Sequence, residues 1–409
     1  MISRWLLLIL VLCPVEFVSA QDWPQFLGPN RNGTYPGPSL SITWAGENPK
    51  LLWQRDVGEG FAGPVVVGER LLLFHRVDDF EVLEALDVKS GQTIWKRQYL
   101  TNYRDDFGFD EGPRSVPVVS DDIVVTFGAQ GHLSAVDIDN GNVIWEMETQ
   151  DRFGVRKGFF GAAGSPLVES GRVVLNIGGE GAGIVAVDLV SGEILWTATS
   201  DEASYSSPVS ASFDDERHAI FLTRDGLVGI DPIDGDVRFR KRWRSRLRAS
   251  VNAATPLING NLIFMSASYG TGAAVVQVNG TDVSEIWASD DIMSNHYSTS
   301  VLHDGYLYGF HGRQEYGQSF RAVDFATGKV QWSSDRLEAG SVTLAGDQLI
   351  VLQENGELVF ATASPEEFVS LARGKILPGV IRAYPAIAKG LLFARNQDTL
   401  VCVDLRASF

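Results

Sequence analysis

The chain has 409 residues, 44% hydrophobic and 21% charged, a globular balance with enough apolar material for a large core. With 34 basic against 51 acidic residues the net charge is −17, which argues against sequence-independent binding to nucleic acid or anionic lipid. The six histidines show no metal-ligand spacing with the two cysteines or with one another, so no metal site is read from the sequence.

Residues 1–20 read as a secretory signal. Arg4 is a short positive region, and "WLLLILVLC" at 5–13 is apolar but too short to span a bilayer. "VSA" at 18–20 has the small residues of a cleavage site, so the mature chain is expected to start after Ala20 and to be periplasmic or extracellular. Leu12 stands where a lipidation signal at Cys13 wants a small residue. Cleavage leaves Cys402 alone, so no internal disulfide can form even in an oxidising compartment. No later stretch is long and apolar enough to cross a membrane. Residues 21–48 form an N-terminal lead segment, and "KLLWQRDV" at 50–57 is a strand carrying Trp53 with nothing before it.

From residue 49 to 409 the chain repeats itself. "ALDVKSGQTIW" (85–95), "AVDIDNGNVIW" (135–145), "AVDLVSGEILW" (186–196) and "AVDFATGKVQW" (322–332) are one sentence written four times. Each copy opens on a small residue, usually followed by proline, as in "GPVV" at 63, "VPVV" at 116 and "SPLV" at 165. Eight such starts lie roughly 41 to 53 residues apart, the period of four-stranded propeller blades. The runs between them ("RLLLF", "DIVVTF", "RVVLNI", "NLIFM") read as short strands. In D-x-x-x-G the Asp can accept turn amides and the Gly supplies positive φ. The closing Trp95, Trp145, Trp196, Trp287 and Trp332, with Phe239 in the fourth copy, are expected to wedge between neighbouring blades. The last copy ends at "VCVDLR" without a Trp strand, and the orphan strand with Trp53 completes it. The expected fold is therefore an all-β, eight-bladed propeller closed by both ends of the chain. Seven blades is the alternative, because the copy at 342–368 lacks both Asp and Trp.

The A-x-D-x-x-x-G-x-x-x-W blade resembles the pyrroloquinoline quinone (PQQ) repeat of quinoprotein alcohol dehydrogenases and of BamB-type assembly lipoproteins. "DWPQFLGPNRNG" at 22–33 and "SNHYSTSVLHDGYLYGFHGRQEYG" at 294–317 resemble the exported PQQ-like propellers of planctomycetes and related bacteria. The resemblance implies the fold over 21–409. It implies PQQ only as a possible cofactor. The dehydrogenases are longer, hold the quinone beside a calcium or lanthanide ion, and carry a Cys–Cys pair that this chain lacks. BamB-type proteins share the size and blade number but are lipidated.

Propellers place binding groups on loops around the central channel. Here the positions before the innermost strands are polar: Arg114, Tyr205, Ser206, Asn252, Asn295, His296, Arg382 and Tyr384, with Tyr269 and Arg313 from later loops. Such a ring suits a small anionic or polyol ligand. The same groups would equally serve as a hydrogen-bonded plug. His296 is the one candidate acid–base group. The acidic loop "YRDDFGFDEGPRS" at 103–115 has no EF-hand spacing and reads as solvated rather than cation-binding. "RFRKRWRSRLR" at 238–248 puts Arg240, Arg242, Arg244 and Arg246 along one stretch, either a stripe for an acidic partner or an edge paired with nearby acids. "GGEGAG" at 178 and "YGTGAA" at 269 lie between strands and read as hairpin turns, not dinucleotide loops. No G-x-S-x-G, H-E-x-x-H or P-loop pattern occurs. The sequence thus favours a monomeric, exported, non-catalytic scaffold binding a protein or a small polar ligand at the channel face. The alternative is a PQQ-dependent alcohol or sugar dehydrogenase.

Overall fold

The repeated eleven residues fold as two antiparallel strands and the turn between them, the outer half of a four-stranded sheet. The computed structural model describes residues 21–44, 48–247 and 250–407, so the signal reading and Cys13 lie outside the described residues. Eight antiparallel sheets follow one another around the ring as blades 1 to 8. Blade 1 consists of Val65–Val67, Arg70–Val77, Phe80–Asp87 and Thr93–Leu100. Blades 2 to 6 begin at Val118–Ser120, Leu167–Glu169, Val209–Phe213, Leu257–Asn259 and Val301–His303. The degenerate copy still builds a complete blade 7, from Gly340–Ala345 to Ser370–Lys375, which settles the count at eight. Blade 8 takes Ala386–Ala388, Leu391–Arg395 and Thr399–Asp404 from the end of the chain and Lys50–Asp56 from its beginning.

Each letter of the repeat has a physical reason. Ala186 lies directly opposite Trp196 on the neighbouring strand, so a small residue leaves room for the indole. Asp188 accepts the turn amides of Val190 and Ser191 at 3.0 and 2.7 Å. Gly235, in the following blade's turn, has φ 81° and lies so close to Trp196 that a Cβ would meet the ring at 2.7 Å. The Trp196 indole N–H then reaches across to the Pro232 carbonyl at 3.2 Å. The same cross-blade bond joins Trp53 to Val88, Trp95 to Ile138, Trp145 to Leu189 and Trp287 to Phe325, each at 2.9 Å.

The departures are consistent with this logic. Phe239 has no N–H to give, and blade 5 offers a two-residue turn between Asn279 and Asp282 instead of the Asp–Gly turn. Trp332 finds the Ser364 carbonyl of blade 7 at 2.8 Å although that blade lacks the Asp. Backbone geometry therefore survives where the letters do not.

The ring closes between blades 8 and 1. Arg55 donates to both oxygens of Glu84 at 3.1 and 3.2 Å and to the Gly91 carbonyl at 2.8 Å. Thr93 donates to Glu84 at 2.5 Å, and the His75 Nε2 lies 3.5 Å away. Burial works to raise the Glu84 pKa, but these hydrogen bonds and cations outweigh it and hold the carboxyl at about 2.

The lead segment fills the channel. Trp23 exchanges both backbone bonds with Val66 of blade 1, and the Pro24 carbonyl accepts from Val119 of blade 2. Thr34–Tyr35 adds a fifth, parallel strand to blade 7. The Tyr35 hydroxyl accepts from Gly390 of blade 8 at 2.9 Å. Arg31, 3% exposed, donates to the carbonyls of Ser165, Pro166 and Pro208 at 3.1, 2.8 and 2.7 Å. Those carbonyls belong to the small-residue–Pro starts of blades 3 and 4. Burial lowers the Arg31 pKa to about 9, so the guanidinium remains charged at neutral pH.

Two outcomes follow from the packing and the closure. Trp196 is 9% exposed between blades 3 and 4, so Trp196→Ala should cost roughly 3–5 kcal/mol in denaturant unfolding. A loss near zero would refute the wedge. For Glu84 the folded pKa of about 2 lies below the ordinary 4.5, so its stabilisation is present above 4.5 and lost as pH falls through 2. Glu84→Gln should therefore be less stable than the parent at pH 7 and lose less between those two values. Parallel acid profiles would show that other groups carry the acid limb.

Candidate functional site

The loops joining the blades build a cavity of about 420 Å³ at one mouth of the channel. Its floor is Phe26 of the lead segment, set edge-on to Tyr384 with ring centroids 5.1 Å apart.

One wall is aromatic and comes from the loops after blades 1 and 2. Asp105 shapes the first loop: its carboxylate accepts the amides of Phe107, Phe109 and Asp110 at 2.9, 3.1 and 3.2 Å, and Arg114 at 2.9 Å. Asp110, 4% exposed, accepts from Gly60 and Gly112 at 3.1 and 2.7 Å. The expectation of a solvated acidic loop thus fails for these two residues, because turn amides consume their lone pairs. The loop turns its Phe side chains outward. Phe107 and Phe109 are 54% and 50% exposed and stand against Phe160, with centroids 5.2 and 6.3 Å away. Arg114 lies 5.3 Å from the ring centres of Phe61 and Phe160.

The opposite wall is polar and comes from blades 5 to 7. His296 is 7% exposed. Its Nε2 faces the Tyr269 hydroxyl at 2.7 Å and its Nδ1 faces Gln314 Oε1. That network assigns the proton to Nδ1 and the lone pair of Nε2 to the tyrosine. Burial lowers the His296 pKa below the usual imidazole value, so the ring is neutral at pH 7. Arg313 pairs with Glu315 at 3.1 Å and lies 4.4 Å above the Tyr269 ring. Tyr269 itself holds a left-handed backbone at φ 67°. Arg382 donates Nε to Glu354 at 2.8 Å, and the Tyr297 hydroxyl reaches the same carboxylate oxygen at 2.7 Å.

Of the residues anticipated from the sequence, Arg114, Tyr205, Tyr269, His296, Arg313, Arg382 and Tyr384 line this cavity. Three do not. Ser206 donates to the Ala254 carbonyl at 2.9 Å, Asn252 to the Thr223 carbonyl at 2.7 Å, and Asn295 to the Phe310 carbonyl at 2.8 Å. All three are buried braces between loops and blades. The phenylalanines were not anticipated, since they sit in loops read for their charges or not singled out at all.

The basic stretch is largely neutralised. Arg240 pairs with Asp201, Arg238 with Asp231, Arg244 with Asp225 and Glu202, and Lys241 with Glu285. Arg242 and Arg246 remain exposed beside a separate hollow of about 530 Å³ that also includes Trp243. A larger cavity of about 830 Å³ opens between the loops of blades 2 to 4, where Lys157 pairs with Asp106 at 2.6 Å.

The comparisons with known proteins agree with this architecture. A family model described as the outer membrane protein assembly factor BamB matches residues 37–156 and 78–334. The assembly factor BamB of Yersinia pestis is 20% identical over 288 residues, covering 66% of this chain and 70% of that protein. Among solved structures, BamB from Moraxella catarrhalis has a TM-score of 0.64 at 14% identity, over 88% of this chain and 98% of its own. The quinohemoprotein alcohol dehydrogenase from Comamonas testosteroni has a TM-score of 0.65 at 14% identity, over 95% and 81%. At such identities the structural likenesses speak for the fold alone. The family match covers most of the ring, and the chain belongs to the PQQ-like β-propeller family represented by the outer membrane protein assembly factor BamB.

Proposed function

We propose that this protein is an exported, non-catalytic β-propeller that binds a partner at its aromatic channel mouth. One observation carries the reading. Every ionisable side chain described above at the mouth is tied to another protein group, while Phe107 and Phe109 stay half-exposed to solvent. His296 has both ring nitrogens engaged, which leaves no lone pair free to take a substrate proton. A surface whose charged groups are paired and whose aromatic rings are half-exposed suits binding better than proton transfer.

The family name raises the quinone cofactor, which dehydrogenases of this fold hold beside a metal ion. The residues here do not fit that pair. Among the described residues no group of three or more His, Cys, Asp or Glu is arranged to hold a metal. Asp105, Glu315 and Glu354 at the mouth each already take an arginine. Cys402, the one cysteine among the described residues, is buried in blade 8 against Trp53. Export rests on the sequence of residues 1–20 and on the naming of a relative as an outer membrane assembly factor. Among the described residues no helix is long and apolar enough to cross a membrane.

The test uses the mature chain. Titration with PQQ and calcium should leave the melting temperature unchanged, and alcohols should reduce no artificial electron acceptor. Saturable PQQ binding with a melting shift of several degrees, together with dye reduction, would overturn the non-catalytic reading. A photoreactive residue at Phe109 should capture a partner in the exported chain, whereas one at Leu100, 71% exposed on the rim of blade 1, should not. Equal capture at both positions would remove the mouth as the site.

A further inference from the structure

We propose that the mouth cavity is a saccharide site, built for an uncharged mono- or disaccharide rather than for an anion. The proposal rests on the mouth being the binding site and names what enters it.

Charge decides between the two ligand classes that the polar ring alone left open. Arg114, Arg313 and Arg382 face Asp105, Glu315 and Glu354, one carboxylate for each guanidinium. An anion entering this cavity would meet guanidinium charge already offset by a paired carboxylate, so little net attraction would compensate for its desolvation. An uncharged ligand pays no such penalty.

Hydrogen-bonding capacity narrows the class further. Arg382 donates through Nε to Glu354, and its guanidinium lies 5.7 and 5.3 Å from the ring centres of Phe61 and Phe109, but its two terminal amino groups make no hydrogen bond to a described residue. Arg313 donates one terminal nitrogen to Glu315, and its other terminal nitrogen makes no hydrogen bond to a described residue. Both carboxylates keep spare lone pairs beside these free N–H groups. A hydroxyl accepts from one and donates to the other, whereas a carboxylate or phosphate only accepts. Neighbouring hydroxyls on one edge of a sugar ring match this alternation of donors and acceptors.

The other wall supplies what a sugar's second face needs. Phe107, Phe109 and Phe160 present ring faces and C–H edges, with the electron-rich faces that attract polarised C–H groups. A pyranose carries C–H groups on its faces and hydroxyls around its edge, so it would bridge the two walls. The volume of about 420 Å³ lies in the ordinary range for small-ligand sites.

The mature protein would be titrated by calorimetry and by saturation-transfer NMR with methyl glucoside, cellobiose and diacetylchitobiose. Galacturonate and inorganic phosphate supply the anionic arms. At least one neutral saccharide should bind with Kd on the order of 0.1–1 mM, and more tightly than either anion. Phe109→Ala and Arg382→Gln should each weaken it about tenfold, with little change in melting temperature, because both side chains are partly exposed. Tighter binding of galacturonate or phosphate than of the neutral sugars would overturn the proposal. So would unchanged sugar affinity in both variants, or no transfer from any neutral saccharide at roughly 10 mM. Partner capture at Phe109 in the absence of sugar binding would retire the saccharide class alone and leave the mouth standing as the binding site.

Discussion

The structure depends on one contact made repeatedly: an indole N–H crossing from the edge of one blade to a turn carbonyl of the next. A blade alone cannot bury its faces, because a four-stranded sheet has two of them. Stacking blades solves this, but apolar faces slide easily past one another. The indole removes that freedom. It covers area like any large side chain, and its single donor selects one carbonyl in one register. The glycine in the receiving turn lets the ring approach, and the aspartate holds the turn that presents the carbonyl. The three residues are therefore one device split between two blades. At the blade 4–5 junction the donor and the receiving turn are absent together, and Phe239 is buried against Phe213 and His218 of its own blade.

This cooperative device explains why the fold was legible in the sequence. Its letters must recur at fixed spacing, and five of the eight blades keep both the turn Asp and a tryptophan or phenylalanine closing strand. The orphan strand around Trp53 and the unfinished last copy announced their own pairing. Blade 7 was the doubtful one because its outer turn lost the letters while keeping a carbonyl in place, and side-chain letters do not report backbone positions.

The site was less legible. Tyr205 and Ser206 are neighbours, as are Asn295 and His296, yet one of each pair lines the cavity and the other braces the loops. Successive side chains in extended chain diverge, so a polar run before a strand cannot all face one way. The phenylalanines were hidden for a different reason. "YRDDFGFDEGPRS" looks acidic, but Asp105 and Asp110 spend their charge on the loop's own amides and on Arg114, leaving Phe107 and Phe109 as the exposed chemistry. "KGFFGAAG", which carries Phe159 and Phe160, has no periodicity to read. "DWPQFLGPNRNG" was recognisable as a mark of kinship, but nothing local says that Arg31 bonds carbonyls more than 130 residues away.

That lead segment has a consequence for what kind of vessel the protein is. Eight blades by themselves enclose a pipe, open at both ends, through which a solute could pass. Trp23, Arg31 and Tyr35 lock a strand of chain inside it, and Phe26 rises to the level of the mouth cavity. The pipe becomes a cup, with a base supplied by the lead segment and walls supplied by the blades. Whatever enters must leave by the way it came.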